Sequence, residues 1–253
     1  MEDSILKPVN GKYKQLKILG QGTYGVVWRV QNTDDGQQYA MKIEKKQNDE
    51  VNRQFSYQQF VNEIEFLKLN EHPYIIKYIE SFSYYDKKQD FIARCIVYEL
   101  ADPQNLFEIV KSSEKGIPED LALTWFTQIC LALSYLHERG LMHRDIKPRN
   151  ILLVREEDQL VAKIADFGTI KEDYDGQENT VIIGTSKYQP PERVGQNYSG
   201  KADVWALGII LYIMLTKQHP FPGADRDDQS IPQMCIAITK QFATHSDECL
   251  NKN

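Results

Sequence analysis

Hydrophobic and polar positions alternate along much of the amino-terminal part of the chain, which is the pattern of strands with one buried face. The alternation over 13–19 and the β-branched run over 26–30 predict the first two strands. Further strands are predicted over 38–43, 75–79 and 92–98. This part of the chain is therefore predicted to form five strands.

A helical pattern separates the third and fourth of these strands. Phe60, Ile64 and Leu67 recur at helical spacing and predict a helix over 57–70, whose buried face they define. Glu63 follows Phe60 by three residues and precedes Leu67 by four, so it lies on the same face. Because a buried carboxylate is costly without a partner, Glu63 needs a cation.

Lys42, in the strand predicted over 38–43, is the candidate partner of Glu63, since its neighbours in that strand are small or apolar. The alternative is that Glu63 is solvated and equivalent to Glu65, and that Lys42 is an ordinary solvated strand residue. The burial of Glu63 distinguishes these two interpretations.

The pattern changes at Glu99-Leu100-Ala101-Asp102-Pro103, a break in composition that predicts a domain boundary. Beyond it helices dominate. One helix is predicted from Pro118-Glu119-Asp120, with acids in its first turn, to a cap at Gly140. Its predicted apolar stripe is Leu121, Trp125, Ile129, Ala132 and Leu136. The apolar run 204–215 predicts a buried helix, because it is too short to cross a bilayer, and another helix is predicted over 231–242.

Composition narrows the class of protein. The chain has 253 residues, of which 42% are hydrophobic and 26% charged, as in soluble globular proteins. A net charge of −6 and a pI near 5.5 give no support for nucleic-acid binding. Four cysteines without metal-ligand spacing predict reduced thiols, and the amino terminus lacks a signal-peptide pattern. We therefore expect a cytoplasmic protein without membrane association, and the nucleus remains an open alternative.

The glycine-rich stretch Gly20-Gln21-Gly22-Thr23-Tyr24-Gly25 lies between the first two predicted strands. In dinucleotide-binding folds such a G-x-G-x-x-G stretch joins a strand to a helix, but here β-branched residues follow it. A hairpin whose backbone N–H groups lie over phosphates is therefore favoured. A purely structural turn is the alternative.

The loop 143–150 contains an acid, a lysine and an amide, and Pro148 excludes a helix through it. The apolar stretch 151–154 then predicts a short buried strand. About one strand later Asp166 stands at another predicted strand end, where Gly168 permits a tight turn. Two acids and an amide form an oxygen-rich set that suits Mg²⁺ together with phosphates and waters. These residues therefore predict phosphoryl transfer.

The same stretches resemble the motifs of eukaryotic protein kinases. His143-Arg144-Asp145-Ile146-Lys147-Pro148-Arg149-Asn150 matches the catalytic loop H-R-D-x-x-x-x-N, and Asp166-Phe167-Gly168 matches D-F-G. The resemblance implies an α+β, two-lobed protein kinase-like fold. Its N-lobe, 13–98, would hold a five-stranded antiparallel sheet and one helix. A hinge would follow at 99–103 and a mainly helical C-lobe at 104–253.

The resemblance also implies the roles of the loop residues. Asp145 would accept or orient the proton of the substrate hydroxyl, and Lys147 would neutralise charge on the transferring γ-phosphate. Asn150 and Asp166 would hold Mg²⁺. A lysine two positions after Asp145 is the pattern of serine/threonine kinases. The implied reaction is transfer of the γ-phosphate of MgATP to Ser or Thr hydroxyls of protein substrates.

The remaining implied site residues would bind ATP. The Lys42–Glu63 pair would position the α- and β-phosphates. Tyr98 would be the gatekeeper, and its size predicts poor access to a pocket behind the adenine. The nucleotide contacts would be Gly20, Gly22 and Gly25 over the phosphates, Leu19, Val27, Ala40 and Leu152 around the adenine ring, the backbones of Glu99 and Ala101, and Asn105 at the ribose.

The polar stretch 169–180 and the following stretch 184–192 resemble a kinase activation segment. Thr180 is the first candidate for a phosphosite whose charge Arg144 could neutralise, and Tyr174 is the second. The alternative is that the acids of this segment only keep it solvated.

Other positions are implied to be structural. Asp203 resembles the aspartate that braces the catalytic loop, and His143 would have a packing role. Arg149 replaces a commoner Glu, so a preference for basic substrates is not implied. The apolar residues that would link the two lobes are Leu67, Tyr78 and Phe167, stacked with His143.

The quoted motifs cover about 13–222, and the carboxyl end departs from the kinase pattern. No later arginine stands in a context that would pair with Glu192. We therefore expect a kinase domain over 13–253 with a short C-lobe, whose apolar surface a partner or the tail of the chain would cover. A truncated kinase of low stability is a further interpretation. The alternatives to protein phosphorylation are a non-catalytic kinase-like scaffold or regulator and a small-molecule phosphotransferase.

Overall fold

The computed structural model describes residues 9–102, 104–172, 186–191 and 199–221. It divides the chain into two compact units. The amino-terminal unit extends to Asp102 and also includes Asp166–Gly168. The carboxyl-terminal unit holds the other residues that the structure describes.

The amino-terminal unit contains one sheet and one helix. Their bounds are β1 Tyr13–Gln21, β2 Gly25–Asn32, β3 Gln38–Glu44, α1 Glu50–Leu69, β4 Tyr78–Asp86 and β5 Phe91–Tyr98. The strand order is β1-β2-β3-β5-β4, and all neighbouring strands are antiparallel. The predicted five-stranded antiparallel sheet with one helix is confirmed.

Alternation along β3 separates the two faces of this sheet. Met41 and Ile43 belong to a buried apolar cluster that they share with residues of β1, β2 and β5. Ala40 and Lys42 point to the opposite face, because successive side chains of a strand alternate. Tyr98 lies on that second face as well, since it stands opposite Ala40 in the β3–β5 pairing. One face therefore forms the core, and the other carries candidate site residues.

Helix α1 begins at Glu50, well before the predicted start at 57. Asp49 caps it, because the Asp49 carboxylate accepts a hydrogen bond from the Asn52 backbone N–H at 2.8 Å. The prediction was wrong because it followed the apolar stripe, whereas the first turns are largely polar and exposed. The buried residues of α1 are Ser56, Phe60, Glu63, Phe66 and Leu67. Ile64, which was predicted on this face, is only half-buried.

For the strand predicted over 75–79, the predicted start was wrong. Ile75 and Ile76 are buried, but they lie before β4, which begins at Tyr78. A turn precedes them, in which the Ile75 N–H donates to the His72 carbonyl at 3.1 Å. These apolar side chains therefore add to the core without joining the strand.

The carboxyl-terminal unit is mainly helical in its described part, as predicted. The bounds are β6 Gln104–Asn105, α2 Leu106–Ser112, α3 Glu119–His137, β7 Leu141–Met142, β8 Ile151–Glu156, β9 Gln159–Ile164, β10 Lys171–Glu172 and α4 Lys201–Thr216. Strands β6, β8 and β9 form one small antiparallel sheet, and β7 pairs with β10.

Helix α3 starts where Pro118-Glu119-Asp120 predicts, and four of the five residues in its predicted stripe are buried. Leu121 was predicted wrongly, because it is 39% exposed and Ala122 is buried in its place. Both positions fit a helical stripe, since they precede Trp125 by four and three residues. The pattern alone could not separate them.

Helix α4 covers the apolar run and buries one side of it. Ile210 and Met214 are buried, whereas Val204 is exposed. The helix predicted over 231–242 lies outside the described residues. Among the helices that the structure describes, none is long and apolar enough to cross a membrane.

Candidate active site

The glycine-rich stretch joins β1 to β2 as a hairpin. The Gly22 N–H donates to the Gly25 carbonyl at 2.9 Å. Because a strand follows the glycines, the predicted hairpin is confirmed and the dinucleotide-fold alternative is excluded. A Cβ atom on Gly25 would lie 3.2 Å from the Ile43 carbonyl oxygen, so glycine permits the close approach of β2 to β3 at this point.

We expect Gly25→Ala to lower the free energy of unfolding by about 1–3 kcal/mol, the usual cost of overpacking. The added methyl group would press on the β3 backbone, which cannot move away as a side chain can. Urea unfolding measures the change. Gly20→Ala is the matched control, because a Cβ there meets no atom within 4 Å. Equal losses in both variants would contradict the packing explanation.

Lys42 on β3 and Glu63 on α1 form an ion pair, in which Lys42 Nζ donates to Glu63 Oε2 at 2.7 Å. Glu63 is 1% exposed, whereas Glu65 is exposed. The interpretation of Glu63 as a solvated residue was therefore wrong. The buried carboxylate has the cation that its burial requires.

Lys42 also pairs with Asp166, whose Oδ1 accepts a hydrogen bond from Lys42 Nζ at 2.9 Å. Asp166 has a φ of 66°, in the left-handed region that few residues other than glycine adopt. Burial alone lowers the pKa of Lys42, but the Asp166 and Glu63 carboxylates outweigh it and raise that pKa above its ordinary value. Lys42 therefore stays charged at neutral pH.

In the carboxyl-terminal unit, two neighbours hold the Asp145 carboxylate. Lys147 Nζ donates to Asp145 Oδ2 at 2.5 Å. Asn150 Nδ2 donates to the Asp145 carbonyl at 2.9 Å and to Oδ2 at 3.1 Å. Asp145 and Asn150 are both buried. Because Asn150 uses its amide nitrogen in this way, its Oδ1 is the atom that can bind a cation.

Asp203 on α4 braces the start of this loop. Its buried carboxylate accepts hydrogen bonds from the backbone N–H groups of His143 and Arg144, both at 2.9 Å. Arg144 has a φ of 70°, so the brace holds a backbone conformation that is otherwise unfavourable. The bracing role predicted for Asp203 is confirmed.

His143 is fully buried, and both of its ring nitrogens contact backbone groups. Nδ1 accepts from the Asp145 N–H at 3.3 Å, and Nε2 lies 3.1 Å from the Ala165 carbonyl oxygen. A neutral ring with its proton on Nε2 satisfies both contacts. His143 therefore has a packing position, as the sequence predicts.

We expect Asp203→Asn to lower the free energy of unfolding by about 2 kcal/mol, as for a lost hydrogen bond to a charged group. The new NH₂ group would face one of the two backbone N–H donors, which would then lack an acceptor. Urea unfolding of the variant tests this. Asp120→Asn, an exposed acid in the first turn of α3, is the control. An unchanged midpoint for Asp203→Asn would argue against the brace.

The β8–β9 pair connects the loop to Asp166. Ile151 stands opposite Ile164, and the Ala165 N–H donates to the Asn150 carbonyl at 2.9 Å. Asp166 is the next residue of the chain. Along the chain, one short strand pair therefore separates the loop 143–150 from the D-F-G motif.

A model of the protein kinase domain matches residues 13–252. The chain belongs to the protein kinase family. This confirms the resemblance that rests on the loop and D-F-G motifs. The family match continues to residue 252, beyond residue 222, where the sequence resemblance to kinase motifs ends.

Curated proteins that resemble this chain are themselves named as kinases. Carbon catabolite-derepressing protein kinase of Candida tropicalis is 36% identical over 96% of this chain and 37% of its own. Cyclin-dependent kinase F-4 of Oryza sativa subsp. japonica is 32% identical over 90% of this chain and 46% of its own. Serine/threonine-protein kinase nekl-2 of Caenorhabditis elegans is 30% identical over 90% of this chain and 62% of its own length. The chain thus spans only part of the length of each relative.

The kinase hinge predicted at 99–103 follows the last strand of the sheet. Glu99 Oε1 accepts from the Lys77 N–H at 2.7 Å, and the Glu99 N–H donates to the Lys77 carbonyl at 3.0 Å. Asn105 Oδ1 accepts from the Glu108 N–H at 3.1 Å and thereby caps α2. Sequence reasoning missed this capping role, although an Asn just before an apolar helix is a recognised start signal.

The residues predicted around the adenine belong to both units. Leu19, Val27 and Ala40 are in the amino-terminal unit, and Leu152 is in the carboxyl-terminal unit. Val27 stands opposite Lys42 in the β2–β3 pairing, and Ala40 precedes Lys42 by two residues. The sheet thus places Val27, Ala40 and Lys42 on one face. Leu152 stands opposite Asn105 between β8 and β6, and Ala101 is buried.

Two contacts that tie α1 to the sheet were also missed. The Tyr98 hydroxyl donates to Glu63 Oε1 at 2.8 Å. Glu44, buried at the end of β3, accepts from Ser56 Oγ at 3.1 Å and from Arg94 Nη1 at 2.6 Å. Glu44 follows Lys42 by two residues, so strand alternation was the signal that could have placed it on the same face.

The candidate phosphosites Thr180 and Tyr174 lie outside the described residues, as does Glu192. Arg144 Nε donates to the Thr169 carbonyl at 2.7 Å, at the start of the segment. Arg149 lies with its guanidinium 3.9 Å from the centre of the Phe107 ring. The proposed regulation of the segment stays a prediction.

Proposed function

We propose that the chain transfers the γ-phosphate of MgATP to Ser or Thr hydroxyls of protein substrates. The observation that carries this proposal is the arrangement at Asp145, a buried carboxylate that Lys147 and Asn150 hold in a loop braced by Asp203. Phosphoryl transfer needs positioned charges more than covalent help from the protein. A fixed carboxylate beside a lysine supplies such positioning.

Each charged residue has a distinct role in this proposal. Asp145 accepts or orients the proton of the attacking hydroxyl. Lys147 meets the negative charge of the γ-phosphate oxygens. Lys42, held by Glu63, meets the α- and β-phosphates. The backbone of the glycine hairpin, at Gly20, Gly22 and Gly25, covers the phosphates.

Asn150 and Asp166 are the proposed ligands of Mg²⁺. Carboxylate and amide oxygens suit this hard cation, which keeps phosphate and water oxygens as its other ligands. In the described ranges no group of three or more His, Cys, Asp or Glu side chains forms a metal site. When bound, Mg²⁺ neutralises charge on the phosphates.

The adenosine contacts complete the proposal. The adenine would lie among Leu19, Val27, Ala40 and Leu152, with the Glu99 and Ala101 backbones at its edge and Asn105 at the ribose. We assign 13–253 to one kinase domain, with lobes at 13–98 and 104–253. A cytoplasmic or nuclear location and a partner on the C-lobe stay predictions.

The direct test measures transfer of labelled γ-phosphate to a mixed Ser/Thr/Tyr protein substrate, followed by analysis of the phosphorylated amino acids. We expect label on Ser or Thr that Asp145→Asn lowers by about 10²-fold or more. A folded chain that binds MgATP without transferring phosphate would favour the scaffold or regulator. Transfer to a small molecule alone would favour the third candidate.

A further inference from the structure

Both carboxylate oxygens of Glu63 have hydrogen-bond donors, and the donors come from different strands. Oε2 accepts from Lys42 Nζ on β3 at 2.7 Å, and Oε1 accepts from the Tyr98 hydroxyl on β5 at 2.8 Å. Glu63 itself is on α1 and is almost completely buried. The helix is therefore joined to two neighbouring strands through one carboxylate.

The sheet determines where the Tyr98 hydroxyl lies. Tyr98 is the last residue of β5, and it is paired with Ala40 on one side and Tyr78 on the other. Its side chain is buried, so the ring has little freedom. Burial, and after it the Glu63 charge, raise the pKa of the Tyr98 phenol well above its ordinary value. The hydroxyl therefore remains a hydrogen-bond donor throughout the physiological pH range.

We propose that Tyr98 is a positioning residue of the phosphoryl-transfer site, whose hydroxyl orients the Glu63 carboxylate so that Oε2 holds Lys42. The inference rests on the function proposed above. The terminal torsion of a glutamate side chain is broad, so a carboxylate with one partner can rotate. A second partner fixed by the sheet prevents this rotation. Lys42 is then presented to the phosphates in one position, which reduces the entropy lost on binding.

The same unit contains a second Lys–Glu–Tyr group that serves as an internal control. Lys12 and Tyr13 both donate to Glu80 Oε1. The Glu80 side chain is 35% exposed, and none of these three residues is among the proposed nucleotide contacts. Tyr13 is buried, as Tyr98 is. Removal of the Tyr13 hydroxyl therefore disturbs a similar hydrogen bond in the same sheet without affecting Lys42.

The test is the affinity of the 253-residue chain for MgADP, measured by calorimetry, together with kcat and KM for MgATP. We expect Tyr98→Phe, which removes only the hydroxyl, to weaken MgADP binding by about tenfold, as for a hydrogen bond to a charged group. Tyr13→Phe should leave the affinity unchanged. An equal loss in both variants would mean general destabilisation of the sheet and would overturn the proposal.

A double-mutant cycle shows whether Tyr98 acts through Glu63. In a Glu63→Leu background the Tyr98 hydroxyl has no carboxylate to orient, so Tyr98→Phe should change MgADP affinity less than about twofold. A full tenfold effect in that background would overturn the proposal. Tyr98→Met removes the hydroxyl with a different side chain, so it replaces Tyr98→Phe if that variant does not fold.

The cycle also separates this inference from the proposed function. If the wild-type chain binds MgADP but transfers no phosphate, the proposed function is wrong, and the binding cycle alone decides the role of Tyr98. If transfer occurs and Tyr98→Phe binds MgADP as the wild type does, only the role of Tyr98 is wrong. A folded wild-type chain without affinity for MgADP would overturn both.

Discussion

Asp145→Asn is expected to lower kcat for protein phosphorylation by about 10²–10⁴-fold, the range for loss of a positioned acid–base group. The substitution keeps the shape of the side chain and an oxygen that can accept from Lys147, but it removes the carboxylate that we propose orients the substrate proton. Because Asp145 is not among the proposed nucleotide contacts, the KM for MgATP should change much less than kcat. Steady-state kinetics with varied MgATP and fixed protein substrate measure both parameters.

The matched control for this prediction is Asp158→Asn, an acid in the exposed turn between β8 and β9. Its loss changes the net charge by the same amount, and kcat should stay at the wild-type value. Near-wild-type transfer by the Asp145→Asn chain would remove Asp145 from the catalytic role. A large increase in KM for MgATP at unchanged kcat would instead indicate a role in nucleotide binding.

Local motifs made the arrangement of the loop 143–150 predictable from the sequence. The residues from His143 to Asn150 are consecutive, so their hydrogen bonds form within one short loop whose backbone Pro148 restricts. The Lys42–Glu63 pair was predictable for another reason. A carboxylate on an apolar helix face requires a cation, and one strand lysine with small neighbours offered it.

Contacts that depend on strand register or on caps were not predictable in the same way. The bond from Tyr98 to Glu63 exists because β5 pairs with β3 in the register that sets Tyr98 opposite Ala40. An alternation pattern gives the face of a residue but not its partner on the next strand. Helix α1 shows the second difficulty, since Asp49 starts it by a local hydrogen bond before any apolar periodicity begins.

Lys42→Met is expected to lower both stability and activity by large amounts. Removal of the lysine leaves Glu63 buried without its cation, and breaking a buried ion pair from one side costs about 3–5 kcal/mol. It also removes the charge that we propose meets the phosphates, so kcat/KM for MgATP should fall by about 10²–10³-fold, as for loss of a preorganised charge-stabilising group. Urea unfolding and steady-state kinetics measure the two losses separately.

Lys12→Met is the control, because Lys12 pairs with Glu80 at 2.6 Å in the same unit, where both partners are more exposed than Lys42 and Glu63. It should cost less stability and leave kcat/KM unchanged. If Lys12→Met lowered kcat/KM as Lys42→Met does, the loss would reflect a weakened sheet and not a missing phosphate contact.

The triple variant Lys42→Met, Glu63→Leu, Tyr98→Phe separates the structural role of the group from its chemical role. It replaces the buried charges with apolar side chains and leaves no Tyr98 hydroxyl without an acceptor, and exchanging a complete buried ion pair for apolar residues is often neutral for stability. We therefore expect the unfolding midpoint to return towards the wild-type value while kcat/KM stays as low as in Lys42→Met. Recovery of activity together with stability would mean that the ion pair serves the fold and that the phosphates are held by other residues.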